Sequence, residues 1–104
     1  MLVQFNTDKN IEGRETLAQE VEASVTDALG RFSDRITRVE VHVSDVNSLK
    51  GGDDDKRCVL EARPKGRDPI SATHQAATLQ LALDGATEKL KRVLDSTFGK
   101  LDQR

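Results

Sequence analysis

Few side chains in this sequence carry reactive chemistry, and none stands in a pattern that makes a reaction centre. Cys58 is the only cysteine. It falls on the apolar phase of an alternating stretch with no histidine at a nearby position, so it reads as a packed, inert thiol and not as a nucleophile. Standing alone, it also excludes an intramolecular disulfide and any CxxC metal or redox site. His42 and His74 can each serve as a base or a ligand, yet neither has a patterned partner, and both read as surface residues. Asp53, Asp54 and Asp55 could gather a divalent cation, but the spacing lacks the alternating ligands and distal glutamate of a calcium loop, and a solvated loop accounts for it. No glycine-rich phosphate loop joins a strand to a helix, and no Ser, His and Asp set surrounds a nucleophile elbow. An enzyme would need a pocket around His42 or His74. The expectation is a non-enzymatic protein with no cofactor, no metal and no small-molecule substrate.

Charge is the remaining chemistry. Sixteen Lys and Arg against eighteen Asp and Glu give a net charge of -2, so no whole-protein basic field draws the chain to nucleic acid, and no DNA partner is expected. The sign is unevenly spread. Residues 1–29 hold Asp8, Glu12, Glu15, Glu20, Glu22 and Asp27 against only Lys9 and Arg14. From Arg31 onward the cations come thickly: Arg35, Arg38, Lys56, Arg57, the run Arg63-Pro64-Lys65-Gly66-Arg67, and then Lys89, Lys91, Arg92 and Lys100. Three cations in one turn, and Lys89, Lys91 and Arg92 close together on a rigid helix, suit spaced phosphates. The same residues on helix faces can also simply solvate a protein. The three aromatic residues are all Phe in the core phase, so contact would be with backbone and shape, not through stacking on bases.

The elements that must hold these residues follow from periodicity. From Thr78 to Leu101, Leu79, Leu83, Ala86, Leu90, Leu94, Phe98 and Leu101 recur at steps of three and four, the stripe of an amphipathic helix roughly 36 Å long. Thr78 can cap its first turn, and the cations load its C-terminal half, where the helix dipole favours them. Gly85 is out of place, because a mid-helix glycine costs about 1 kcal/mol relative to Ala; close approach of another backbone would explain it. Met1 to Asn6 reads as a strand followed by a polar turn, Asn6 to Gly13. From Glu15, Leu17, Val21, Val25, Ala28 and Leu29 mark a second amphipathic helix, which Gly30 can end in a left-handed cap, with Phe32 packing beyond it. Ile36 to Asp45 alternates, Val39, Val41 and Val43 against Arg38, Glu40 and His42. A loop with Gly51-Gly52 leads to Arg57–Arg63, where Cys58, Leu60 and Ala62 face inward, and Pro64 to Asp68 turns the chain into a weaker strand, Pro69 to His74, with Ile70 and Ala72 as its core candidates.

The order β-α-β-β-β-α predicts an α+β fold: a four-stranded sheet with two helices covering one face. At 104 residues the expectation is a single domain, 1–104, around one core. No run is long and apolar enough to span a membrane, and MLVQFNTDKN lacks a secretory pattern, so a cytoplasmic protein with no membrane partner is expected.

Two stretches carry a family resemblance: Leu29-Gly-Arg-Phe-Ser-Asp-Arg-Ile36, and Leu83-Asp-Gly-Ala-Thr-Glu-Lys-Leu90 continuing through Lys91-Arg92-Val93-Leu94. In their order and spacing they are similar to the end of helix 1 and to helix 2 of the ribosome hibernation promoting factor and ribosome-associated inhibitor family, also called sigma-54 modulation proteins, in its short form. The resemblance covers nearly the whole chain. It implies a fold related to the double-stranded RNA-binding domain. It also implies binding to the small ribosomal subunit and its 16S rRNA, in the mRNA and tRNA channel, where the domain blocks translation in stationary phase or stress. Position by position, the resemblance carries over Arg35, Lys89 and Arg92 as rRNA-binding residues. To these the charge pattern adds Arg38, Arg63, Lys65, Arg67, Lys91 and Lys100. The chain departs from the family in having no basic residue at positions 15–29, where members usually carry cations on helix 1. An alternative use of the same fold is therefore a protein-interaction module working through an acidic helix 1.

Overall fold

The computed structural model describes residues 1–7, 14–45 and 56–102. Their elements run β1 (Leu2–Thr7), α1 (Arg14–Leu29), a 3-10 turn (Gly30–Phe32), β2 (Ile36–Asp45), β3 (Lys56–Pro64), β4 (Ile70–Ala76) and α2 (Leu79–Asp102). The four strands form one sheet in sequence order. β1 lies parallel to β2, since the helix between them returns the chain to the same end, while β2, β3 and β4 pair antiparallel.

Alternation decides the two faces of the sheet. Val39, Val41, Cys58, Leu60 and Ala62 are fully buried, and they share one core with Val21, Val25 and Leu29 of α1 and Ala82, Leu83, Ala86, Leu90, Leu94 and Phe98 of α2. Each large side chain taken from water in this way contributes about 1.5–3 kcal/mol. Thr78 caps α2 in keeping with its position, its Oγ1 accepting from the Leu81 N–H at 3.1 Å.

Several local expectations change. Gly30 does not end α1 in a left-handed conformation: the chain keeps winding into a 3-10 turn, closed by the Ser33 N–H donating to the Gly30 carbonyl at 3.0 Å, because this brings Phe32 into the core. The glycine with a positive φ is Gly66, at 69°, in the β3–β4 turn. β4 runs on past His74 to a buried Ala76. His74 consequently sits on the inward phase, half-buried with Ile70 and Ala72, instead of on the surface. What meets Gly85 is not another backbone but this imidazole: a Cβ there would lie 2.1–2.5 Å from His74 ring atoms. His74 is also the cross-strand neighbour of Cys58, so the thiol does have a histidine beside it, one that linear spacing hides. The expected turn over residues 8–13, the loop with Gly51-Gly52, the Asp53–Asp55 cation site and the Leu101 side chain lie outside the described residues.

Candidate nucleic-acid interface

α2 runs back along β4. Gly85 lies over His74, and further along Lys89 Nζ donates to the Thr73 carbonyl at 3.0 Å. The C-terminal half of α2 is thereby carried toward the β3–β4 turn. There the Arg35 guanidinium lies over the Phe98 ring, 4.1 Å from its centroid, and Phe98 meets Phe32 with ring centroids 5.6 Å apart. The Lys65 N–H donates to the Arg35 carbonyl at 2.9 Å, which fixes the turn bearing Lys65 and Arg67 beside Arg35. One end of the molecule thus gathers Arg35, Lys65 and Arg67; Lys100, two residues beyond the buried Phe98, is exposed on the last turn of α2. Arg31 joins them, stacked on Phe32 at 4.8 Å and paired with Asp95. Arg31 was not among the expected site residues. Its signal is the spacing Arg31-Phe32…Arg35, which brackets an aromatic with two cations.

The other expected residues are differently placed. Arg38 and Arg63 are opposite each other on the outer face of β2 and β3, but Glu40 and Glu61 stand in the adjoining row. Arg63 pairs with Glu61 at 3.0 Å and with Glu40 at 3.3 Å, and Arg38 lies 3.6 Å from Glu40. That patch is neutralised internally. Lys89, Arg92 and Lys100 fall on one row of α2 at helical steps, whereas Lys91 is turned to the opposite flank. Lys89 is spent on the edge of β4, and Arg92 is 3.9 Å from Glu88. Among the described residues, Lys65, Arg67 and Lys100 are exposed and make no ion pair, although Asp34 and Asp68 are exposed in the same two turns.

An open hollow is lined by Asn6, Thr7, His42, Ser44, Arg57 and Val59, so His42 does have a pocket beside it, with no carboxylate or thiol among the lining residues. Burial pushes the Cys58 thiol from 9.0 up to about 11, so the thiolate is suppressed at neutral pH. His74 Nδ1 is buried with no hydrogen-bond partner. Among the described residues no group of three or more His, Cys, Asp and Glu could hold a metal ion, and no helix is long and apolar enough to cross a membrane.

The fold and its charged end define a small α+β domain shared with solved proteins. The N-terminal domain of Thermus thermophilus Protein Y superposes with a TM-score of 0.71 at 17% identity, over 93% of this chain and 99% of that one. A ribosomal subunit interface protein from Coxiella burnetii gives 0.65 at 17% identity, over 95% and 99%. At that identity the likeness is one of fold. No curated protein matches the chain significantly. The family model for the sigma 54 modulation protein / S30EA ribosomal protein matches residues 6–102, and the chain belongs to that family.

Proposed function

We propose that this chain is a ribosome-associated translation inhibitor, a cytoplasmic single domain that binds the small ribosomal subunit and occupies its mRNA and tRNA channel under stress or in stationary phase. The observation that carries the reading is the family match over residues 6–102, supported by the fold shared with Protein Y and with a ribosomal subunit interface protein. The contact with 16S rRNA is made by the end of the molecule where Arg31, Arg35, Lys65 and Arg67 meet, together with Lys100 on the last turn of α2. Lys65, Arg67 and Lys100 lead it, because they are exposed and, among the described residues, bound to no other group through their charged ends, whereas Lys89 is held by the Thr73 carbonyl and Lys91 is half-buried. Lys89, Lys91 and Arg92 add a weaker, flanking contribution, and Arg38 and Arg63 contribute least. Binding is to phosphate and shape, it involves no chemistry on the RNA, and it weakens with salt.

The alternative, a protein partner taken through α1, is favoured by one observation: Glu15, Glu20, Glu22 and Asp27 are all exposed with no cation among residues 15–29. Co-sedimentation with purified small subunits across a salt series separates the two. The parent is expected to sediment with the subunit at low salt. The triple variant Lys65→Gln/Arg67→Gln/Lys100→Gln should bind more weakly, its log-log salt slope reduced by about 0.7–0.9 for each phosphate no longer neutralised. Parent-like binding by the triple variant at every salt concentration overturns this footprint, and a parent that never sediments with the subunit overturns the ribosomal reading itself.

A further inference from the structure

The sheet has two edges, and they are treated differently. On β4, Lys89 reaches over to the Thr73 carbonyl and places a charge at the edge, the usual protection against a further strand. On β1, the stretch Leu2–Asn6 has no charge and no proline, and its register against β2 is unbroken. Among the described residues its one strand partner is β2. An edge of this kind presents backbone donors and acceptors to any extended chain laid beside it.

Above that edge is a groove between β1 and α1, lined by Val3, Phe5, Ala18, Glu15 and Glu22. Val3, Phe5 and Ala18 are only half-buried, so apolar surface is left open at its floor. Glu15, Ala18 and Glu22 share one row of α1, which puts two carboxylates about 10 Å apart along the rim. We propose that this edge and groove form a docking site for an extended, basic polypeptide segment, which adds a fifth strand to β1. Its inward row places an apolar residue on Val3 and Phe5 and cations against Glu15 and Glu22. Backbone hydrogen bonds supply affinity, and the inward row supplies selectivity. Charge selects this occupant over a second copy of the chain, because pairing two β1 strands about a two-fold axis would bring Glu15 and Glu22 of both copies together. The site is independent of the basic end of the molecule and stands whether or not the chain binds ribosomes.

The probe is the peptide Thr-Lys-Thr-Val-Thr-Lys-Thr, whose inward row reads Lys, Val, Lys with the cations about 13 Å apart in an extended strand. Titrated into the full chain by NMR, it should shift the amides of Leu2–Phe5 saturably. Glu15→Lys/Glu22→Lys should lower its affinity at least tenfold. Glu20→Lys/Asp27→Lys makes the same change in net charge on the far side of α1 and should alter affinity less than twofold. Four results each overturn the proposal: no saturable shift in β1; equal losses in the two variants, which would mean attraction by net charge alone; equal binding of the peptide with Glu in place of both Lys; or sedimentation velocity showing that the chain alone dimerises with its β1 amides protected, which would assign the edge to a second copy.

Discussion

Where α2 lies over β3 the core is sealed; under α1 it is not, and at the β4 edge Ile70 and Ala72 are likewise half-buried. Beneath α2, Cys58, Leu60 and Ala62 meet Leu83, Ala86, Leu90 and Leu94 with no exposure above 2%. Beneath α1, Val21, Val25 and Leu29 are buried, but Met1, Val3, Phe5 and Leu17 stay half-buried around them. α2 has 24 residues and an apolar stripe along its length, whereas α1 has 16 and a stripe interrupted by small and polar residues. The polar faces differ too, acidic on α1 and of mixed sign on α2, whose sequence sets Asp84, Glu88, Asp95 and Asp102 against Lys89, Lys91, Arg92 and Lys100. One sheet therefore supports a tightly packed part under α2 and a looser part under α1, whose groove beside β1 is rimmed by Glu15 and Glu22.

The largest expected effect tests that difference directly. Leu90→Ala should cost about 2–5 kcal/mol, with a cavity left under α2. Val25→Ala under α1 should cost less, about 1.5–3 kcal/mol, since fewer atoms are removed and the neighbours can relax. Denaturant midpoints measure both, and equal losses would erase the distinction between the halves.

Next in size is pH. Because the Cys58 thiol is raised from 9.0 to about 11 by burial, the stability it contributes is complete below pH 9 and is lost as pH climbs through about 11. The parent should lose about 3 kcal/mol over that window relative to Cys58→Ala, whose remaining groups titrate alike. Parallel stability curves for the two proteins would mean that the α2 half admits water.

A third test concerns the closest approach under α2. Gly85→Leu should destabilise by about 1–3 kcal/mol through overpacking against His74, seen as a clear fall in melting temperature. His74→Ala/Gly85→Ala should recover much of that loss, since the clash is gone and a helix alanine is better than glycine by about 1 kcal/mol. A Gly85→Leu protein as stable as the parent would show that the ring simply swings aside.

The smallest effects belong to the polar faces. Lys89→Gln/Arg92→Gln on α2 and Glu20→Gln/Asp27→Gln on α1 should each leave stability within about 0.5 kcal/mol. They should part on the ribosome: in co-sedimentation the first weakens binding modestly and flattens its salt dependence, while the second leaves it unchanged. A matching loss in both would make the two helices alike in function.

Much of this architecture is legible from periodicity. The bounds of β2 and the span of α2 follow from alternation and from steps of three and four, because burial on one face forces those periods. The family stretch Leu29–Ile36 and the Asp84-Gly85 pair are likewise local. The charged site was less legible. Arg63 and Lys65 look equivalent in the turn sequence, yet Arg63 is answered by Glu40 across the strands and by Glu61 on its own, while Lys65 makes no ion pair among the described residues.

The sequence by itself determined which residues could be core and where most of the helices and strands would run, since both rest on neighbours in the chain. Tertiary structure alone decided the rest. It set His74 between Cys58 and Gly85, joined Arg31 and Arg35 to two phenylalanines, cancelled Arg38 and Arg63, and put Lys89 at the β4 edge while β1, among the described residues, pairs with β2 alone. Those outcomes depend on strand register and helix crossing, which bring together residues far apart in sequence, and no local pattern encodes that.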